Sequence, residues 1–147
     1  MLTALALWGT PPVRTSRRLA RGINDMAAKM RSDHPGRYGQ FTVIPLPDIE
    51  GSLREIEYGY DTLKADGIAL MTNYGDRWLG DAAFAPVWEE LNRRKAIVYF
   101  HPVALNCCGD NFVPGVDASW MEVPYDTGRA VLCRVKPQNS SGSRMSV

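Results

Sequence analysis

Four short apolar runs, bounded by turn residues and separated by stretches of helical periodicity, limit what this chain can become. They are Thr3–Leu7, Phe41–Ile44, Ile68–Met71 and Ala96–Phe100. None alternates apolar with polar residues, as a strand with one wet face would. Continuous runs mark strands covered on both faces, and such strands belong to parallel sheets wrapped by helices. The runs end roughly 26 to 38 residues apart, which suits the repeat of a (β/α)8 barrel and equally an open doubly wound sheet. Spacing alone does not choose between them.

The segments between the runs read as helices. Gly9 and the Pro11-Pro12 pair end the first run, and Thr15 or Ser16 can cap the helix that follows. Its apolar stripe is Leu19, Ile23, Met26, Ala27 and Met30, and Asp33-His34-Pro35-Gly36 stops it. Arg14, Arg17, Arg18 and Arg21 read as a solvated face of the same helix. Asp48 is a cap for a second helix whose core face is Leu53, Ile56, Tyr60 and Leu63. Asp81 is a cap for a third, with Phe84, Val87, Trp88 and Leu91 inward and Glu89, Glu90, Arg93 and Arg94 toward water. A shorter helical stretch is expected near Thr127–Val135. The Ser-rich residues 136–147 have nothing to bury and are expected to be a disordered tail, leaving 1–135 as the domain.

Composition excludes several classes of function. A net charge of +1 does not suit a nucleic-acid partner, since phosphate binding needs a basic surface. The opening LTALALW is too short to span a membrane and lacks the basic start of a secretory signal. Nothing else approaches an apolar span of about 18 residues, so a soluble, cytoplasmic protein is expected. Cys107, Cys108 and Cys133 form neither a disulfide framework nor a CxxC zinc pattern and are expected to be reduced thiols.

Chemistry concentrates at two strand ends. His101 follows Ile97-Val98-Tyr99-Phe100 at the carboxyl end of a strand, where barrel and open-sheet enzymes place functional groups. A neutral imidazole held there is a good divalent-metal ligand, or simply a hydrogen-bonded strand-end histidine. One ligand is not a site, because catalytic zinc takes about three. His34 lies at the other end of a helix and reads as structural. The loop 72–81 shares the rim with His101. Asn73 and Tyr74 offer hydrogen bonds to a substrate there, and Trp78 offers a wall or packs on the third helix. A thiol nucleophile made from Cys107 or Cys108 with His101 lacks an orienting third group. No GxSxG elbow, P-loop or GxGxxG follows a strand.

Three ordered blocks carry a resemblance. They are TNYGDRWLGDAAFAPVWEELNRRKAIVYFHP (72–102), RRLARGINDMAAKMRSDHPGRYGQFTVIPLPD (17–48) and VPYDTGRAVL (123–132). Together they resemble the amidohydrolase-related metal-dependent hydrolases, in the branch of aminocarboxymuconate-semialdehyde and resorcylate decarboxylases. The resemblance implies an α/β fold, a partial (β/α)8 barrel of about four parallel strands with helices. It also implies removal of a carboxylate from a small aromatic or muconate-type acid, aided by a divalent metal, zinc in the usual case. The family's F-H-P histidine falls on His101, which makes that residue a metal ligand. The family's HxH or ExH pair does not occur in this chain, and the later strands with their histidine and aspartate are not matched. Asp110, Asp117 and Asp126 cannot be assigned that aspartate. The resemblance therefore implies an incomplete metal site and about half a barrel. Its open edges suit a homo-oligomer, with a non-catalytic interaction module as the alternative to an enzyme.

Overall fold

The computed structural model describes residues 12–75, 77–103 and 118–135. Its organising element is strand β2 (Gly67–Met71), flanked by β1 (Phe41–Val43) and β5 (Val98–His101) in a three-stranded parallel sheet of order β1-β2-β5. Phe41 aligns with Gly67 and Val43 with Ala69, while Ala69 aligns with Tyr99 and Met71 with His101. Parallel neighbours need a crossover, and helices supply each one. Helix α1 (Val13–Asp33) precedes β1, and α2 (Ile49–Glu57), extended by a π-helical turn Tyr58–Thr62, links β1 to β2. A short antiparallel hairpin, β3 (Asn73–Tyr74) with β4 (Arg77–Trp78), a 3-10 turn Ala82–Phe84 and α3 (Ala85–Arg93) link β2 to β5. Helix α4 spans Ala118–Val135.

The period of two along the strands divides the sheet into two faces. Ile68, Leu70, Val98 and Phe100 point to the helices and join Ile44, Leu46, Ile56, Leu79, Phe84, Val87, Leu91 and Ala130 in one core. Burying each large side chain of this set contributes about 1.5–3 kcal/mol. The other face carries Phe41, Ala69, Tyr99 and His101. Tyr99 is 41% and the neighbouring Ile97 64% exposed.

Two of the three expected caps form. Asp48 accepts from the Gly51 N–H at 3.2 Å, and Asp81 accepts from the Ala83 N–H at 2.8 Å, starting the 3-10 turn that feeds α3. The first cap is different. Helix α1 begins at Val13 with Pro12 as its cap residue, whose carbonyl takes the Thr15 and Ser16 N–H groups, so Ser16 lies inside the helix and is buried.

The α1 stripe is also shifted, with Leu19, Ile23 and Ala27 only half-buried. Met26 and Met30 are 54% and 46% exposed, whereas the buried positions are Ser16, Ala20 and Asn24. The cause is Asn24, whose carboxamide donates to the Val43 carbonyl and accepts from the Val43 N–H, both at 2.9 Å. It closes the edge of β1 away from β2 as a neighbouring strand would. The same amide donates to Glu55 Oε1 at 2.8 Å, and Arg21 reaches Glu55 Oε2 at 2.9 Å. Arg17 is likewise bonded to Asp48, at 2.9 Å through its terminal nitrogen. Arg17 and Arg21 are therefore half-exposed ties between α1 and α2, while Arg14 and Arg18 are exposed as expected.

A second correction concerns α3. Glu90 and Arg94 are half-buried rather than turned to water, because Arg94 bonds both oxygens of Asp61 (2.7 and 2.9 Å) and Glu90 (2.6 Å). The fourth helix is longer than the expected Thr127–Val135 and runs through Pro124. The expected strand Thr3–Leu7, Cys107, Cys108, Asp110, Asp117 and the tail lie outside the described residues.

Candidate active site

His101 is the last residue of β5 and belongs to the sheet face opposite the helix-packed core. Its main chain is fixed from β2, since the Thr72 N–H donates to the His101 carbonyl at 3.0 Å. Thr72 follows the end of β2 and opens the β3–β4 hairpin, so His101 and the Asn73 segment share the carboxyl rim of the sheet, as expected. The ring Nδ1 lies 2.8 Å from the Pro102 carbonyl oxygen. A carbonyl only accepts, so this contact suits a proton on Nδ1, and in the neutral ring that leaves the lone pair on Nε2. Among the described residues Nε2 has no hydrogen-bond partner.

The hairpin residues behave differently from one another. Asn73 keeps a buried Nδ2 with no partner among the described residues. Tyr74 turns inward: its hydroxyl accepts from the Met71 N–H at 3.0 Å, and its ring meets Phe84 edge-on at 6.0 Å. Burial pushes the Tyr74 phenol well above its ordinary titration range, with the Met71 bond opposing the shift. Trp78 is half-buried in β4. His34 caps the far end of α1, exposed and edge-on to Tyr38 at 5.8 Å.

Two residues at this rim escaped the sequence reading. Asp126 of α4 is 1% exposed, and its Oδ2 accepts from the Thr72 hydroxyl and, at 2.9 Å, from the Val103 N–H. Its Oδ1 is buried with no partner among the described residues. Thr72 itself is fully buried. The signal was present in the helix period: Asp126, Ala130 and Cys133 stand on one stripe, and Ala130 is buried. A carboxyl on a buried stripe needs partners, and the strand ends supply them. The close fit of α4 depends on Gly80, where a Cβ would collide with the Cys133 carbonyl.

As a metal site the rim is incomplete. Among the described residues no three His, Cys, Asp or Glu side chains converge to hold an ion. One well-oriented imidazole nitrogen fits a divalent metal as a single ligand, and the described residues do not fit the whole group.

A family model described as Amidohydrolase matches residues 9–133. The chain belongs to the amidohydrolase family. Its similarity to curated relatives runs along most of its length. The 6-methylsalicylic acid decarboxylase of Penicillium expansum is 39% identical over 134 residues, covering 83% of this chain and 38% of that protein. Decarboxylase yanB of Aspergillus niger is 52% identical over 122 residues, covering 78% of this chain and 33% of its own length. A dihydroxybenzoic acid decarboxylase of Polaromonas, solved with bound manganese and the inhibitor 2-nitroresorcinol, superposes with a TM-score of 0.76 at 19% identity. That match covers 91% of this chain and 42% of the other. The amidohydrolase chain thus has the α/β fold of part of a (β/α)8 barrel and spans well under half the length of each of these proteins.

Proposed function

We propose that this amidohydrolase chain is part of a metal-dependent decarboxylase acting on a small aromatic carboxylic acid, with His101 as one metal ligand. The observation that carries the reading is the ring at the end of β5, with Nδ1 spent on the Pro102 carbonyl and Nε2 at the carboxyl rim without a partner among the described residues. The manganese in the Polaromonas relative and the hydroxybenzoate-type acids in the relatives' names support a divalent ion and this substrate class. A divalent ion held in part by His101 would supply positive charge near a substrate carboxylate. The chain's own part is positional. Asn73, whose buried Nδ2 has no partner among the described residues, stands on the same rim as a donor for a substrate oxygen. The hydroxyl of Tyr74 is already committed to Met71.

Manganese titration and carbon dioxide release from 2,6-dihydroxybenzoate and 6-methylsalicylate test this reading. With one protein ligand described, the chain should bind manganese weakly and turn over slowly at most, and His101→Ala should abolish both signals. Manganese binding that is unchanged in His101→Ala would remove the reading.

A second reading, an association module, is favoured by two exposed aromatic rings on the sheet face opposite the core. Phe41 (39% exposed) and Tyr99 (41%) meet edge-on there at 6.3 Å. A second copy covering that face would give a scattering mass that rises with concentration. A monomer at high concentration counts against it.

A further inference from the structure

The Pro102–Val103 peptide is gripped on one side and grips on the other. Its N–H donates to Asp126 Oδ2 at 2.9 Å and is shared with Thr72 Oγ1 at 3.1 Å. Its carbonyl accepts from His101 Nδ1 at 2.8 Å. A peptide unit is planar, so fixing the direction of the N–H fixes the direction of the carbonyl on its opposite side. A donor held by a carboxyl also polarises the unit and strengthens the carbonyl as an acceptor.

We propose that Asp126 is a positioning residue for His101, acting through this peptide: it aims the Pro102 carbonyl so that the imidazole is held as the Nδ1–H tautomer with Nε2 ready to donate its electron pair. The inference deepens the reading of His101 as a metal ligand and rests on it. The surroundings suit the role. Asp126 is 1% and Thr72 0% exposed, so water does not compete for the bonds between them. Thr72 closes the loop, because its N–H holds the His101 carbonyl while its hydroxyl bonds Asp126. Both ends of the His101-Pro102-Val103 segment are thereby tied to the Thr72–Asp126 residue pair, the first by the Thr72 N–H and the second by the hydroxyl and carboxyl. Groups behind a metal-binding histidine commonly fix its tautomer in this way.

The experiment is a nitrogen-15 spectrum of the histidine rings in the metal-free chain. The sequence has two histidines, and His34, which takes no part in this network, serves as the internal reference. Wild-type His101 should show its proton on Nδ1. Asp126→Ala should lose that lock and populate the Nε2–H form, leaving His34 unchanged. Asp126→Asn keeps an oxygen acceptor and should restore the Nδ1–H form. A wild-type His101 with its proton on Nε2, or an Nδ1–H form that persists in folded Asp126→Ala, overturns the proposal. Should Asp126→Ala not fold, the wild-type spectrum and folded Asp126→Asn carry the test, and loss of Nδ1–H in either overturns it.

Manganese added to the same samples separates the two readings. It should broaden the His101 signals, and the concentration required should rise about 10-fold in Asp126→Ala. An Asp126-dependent tautomer with no manganese effect on His101 removes the ligand reading and leaves the positioning effect standing.

Discussion

Asn24 shows how much of this fold depends on one side chain. It is 1% exposed, pairs with both polar groups of Val43 and donates to Glu55, itself 4% exposed. Asn24→Ala leaves these buried groups without partners, and each such loss costs about 1–3 kcal/mol. Destabilisation of about 3 kcal/mol or more is expected from urea unfolding, and an effect below 1 kcal/mol would show that water replaces the amide. A periodicity argument could not find Asn24, because it weighs apolar residues and the inward face of α1 is polar and small. His101 was legible because a histidine closing a continuous apolar run has few places to go. Asp126 stood on a readable stripe, but its bond to Thr72 was not legible, since it joins residues far apart in sequence.

At the scale of elements, the ends of helices were the readable part. Asp48 and Asp81 cap as local chemistry requires, whereas the start of α4 lies earlier than expected, at Ala118, with Pro124 inside the helix. The end of α3 contains an avoidable strain. Lys95 has a φ of 52°, with the Lys95 N–H on the Asn92 carbonyl and the Ala96 N–H on the Leu91 carbonyl. Glycine suits this left-handed position, so Lys95→Gly should raise the thermal midpoint, by the equivalent of up to about 1 kcal/mol. Gly80→Ala should do the reverse, costing about 1–3 kcal/mol as the Cys133 turn of α4 is pushed off.

The arginine–carboxylate cluster at the end of α3 gives an acid limb. Hydrogen bonds from Arg93 and then Arg94 hold the Glu90 carboxyl down, from 4.5 to about 2. A depressed folded value means the stabilisation is present above the unfolded value and is lost as pH falls through the folded one. Stability should therefore decline between about pH 4.5 and 2, with Asp48 and Asp61, also held low by arginines, adding to it. Arg94→Gln should flatten that decline in urea midpoints measured against pH, and an unchanged slope would place the effect elsewhere.

Across the whole molecule, the order of strands and helices followed from run length and spacing. The choice of a barrel over an open sheet came from the three sequence blocks and not from periodicity. The face of the sheet bearing Phe41, Tyr99 and His101 was legible only in outline, since period two says which residues share a face but not what covers them. Asn24 also bears on how a population of these molecules would change with time. Hydrolysis of its amide to a carboxylate would replace two donors by a negative charge beside Glu55, and the native bonds hold that amide away from solvent. Molecules that open transiently would therefore be the ones that deamidate, and on closing they would lack the bond to the Val43 carbonyl. Storage would act as a one-way ratchet, with acidic species accumulating fastest under conditions that favour opening and not where the intact fold predominates.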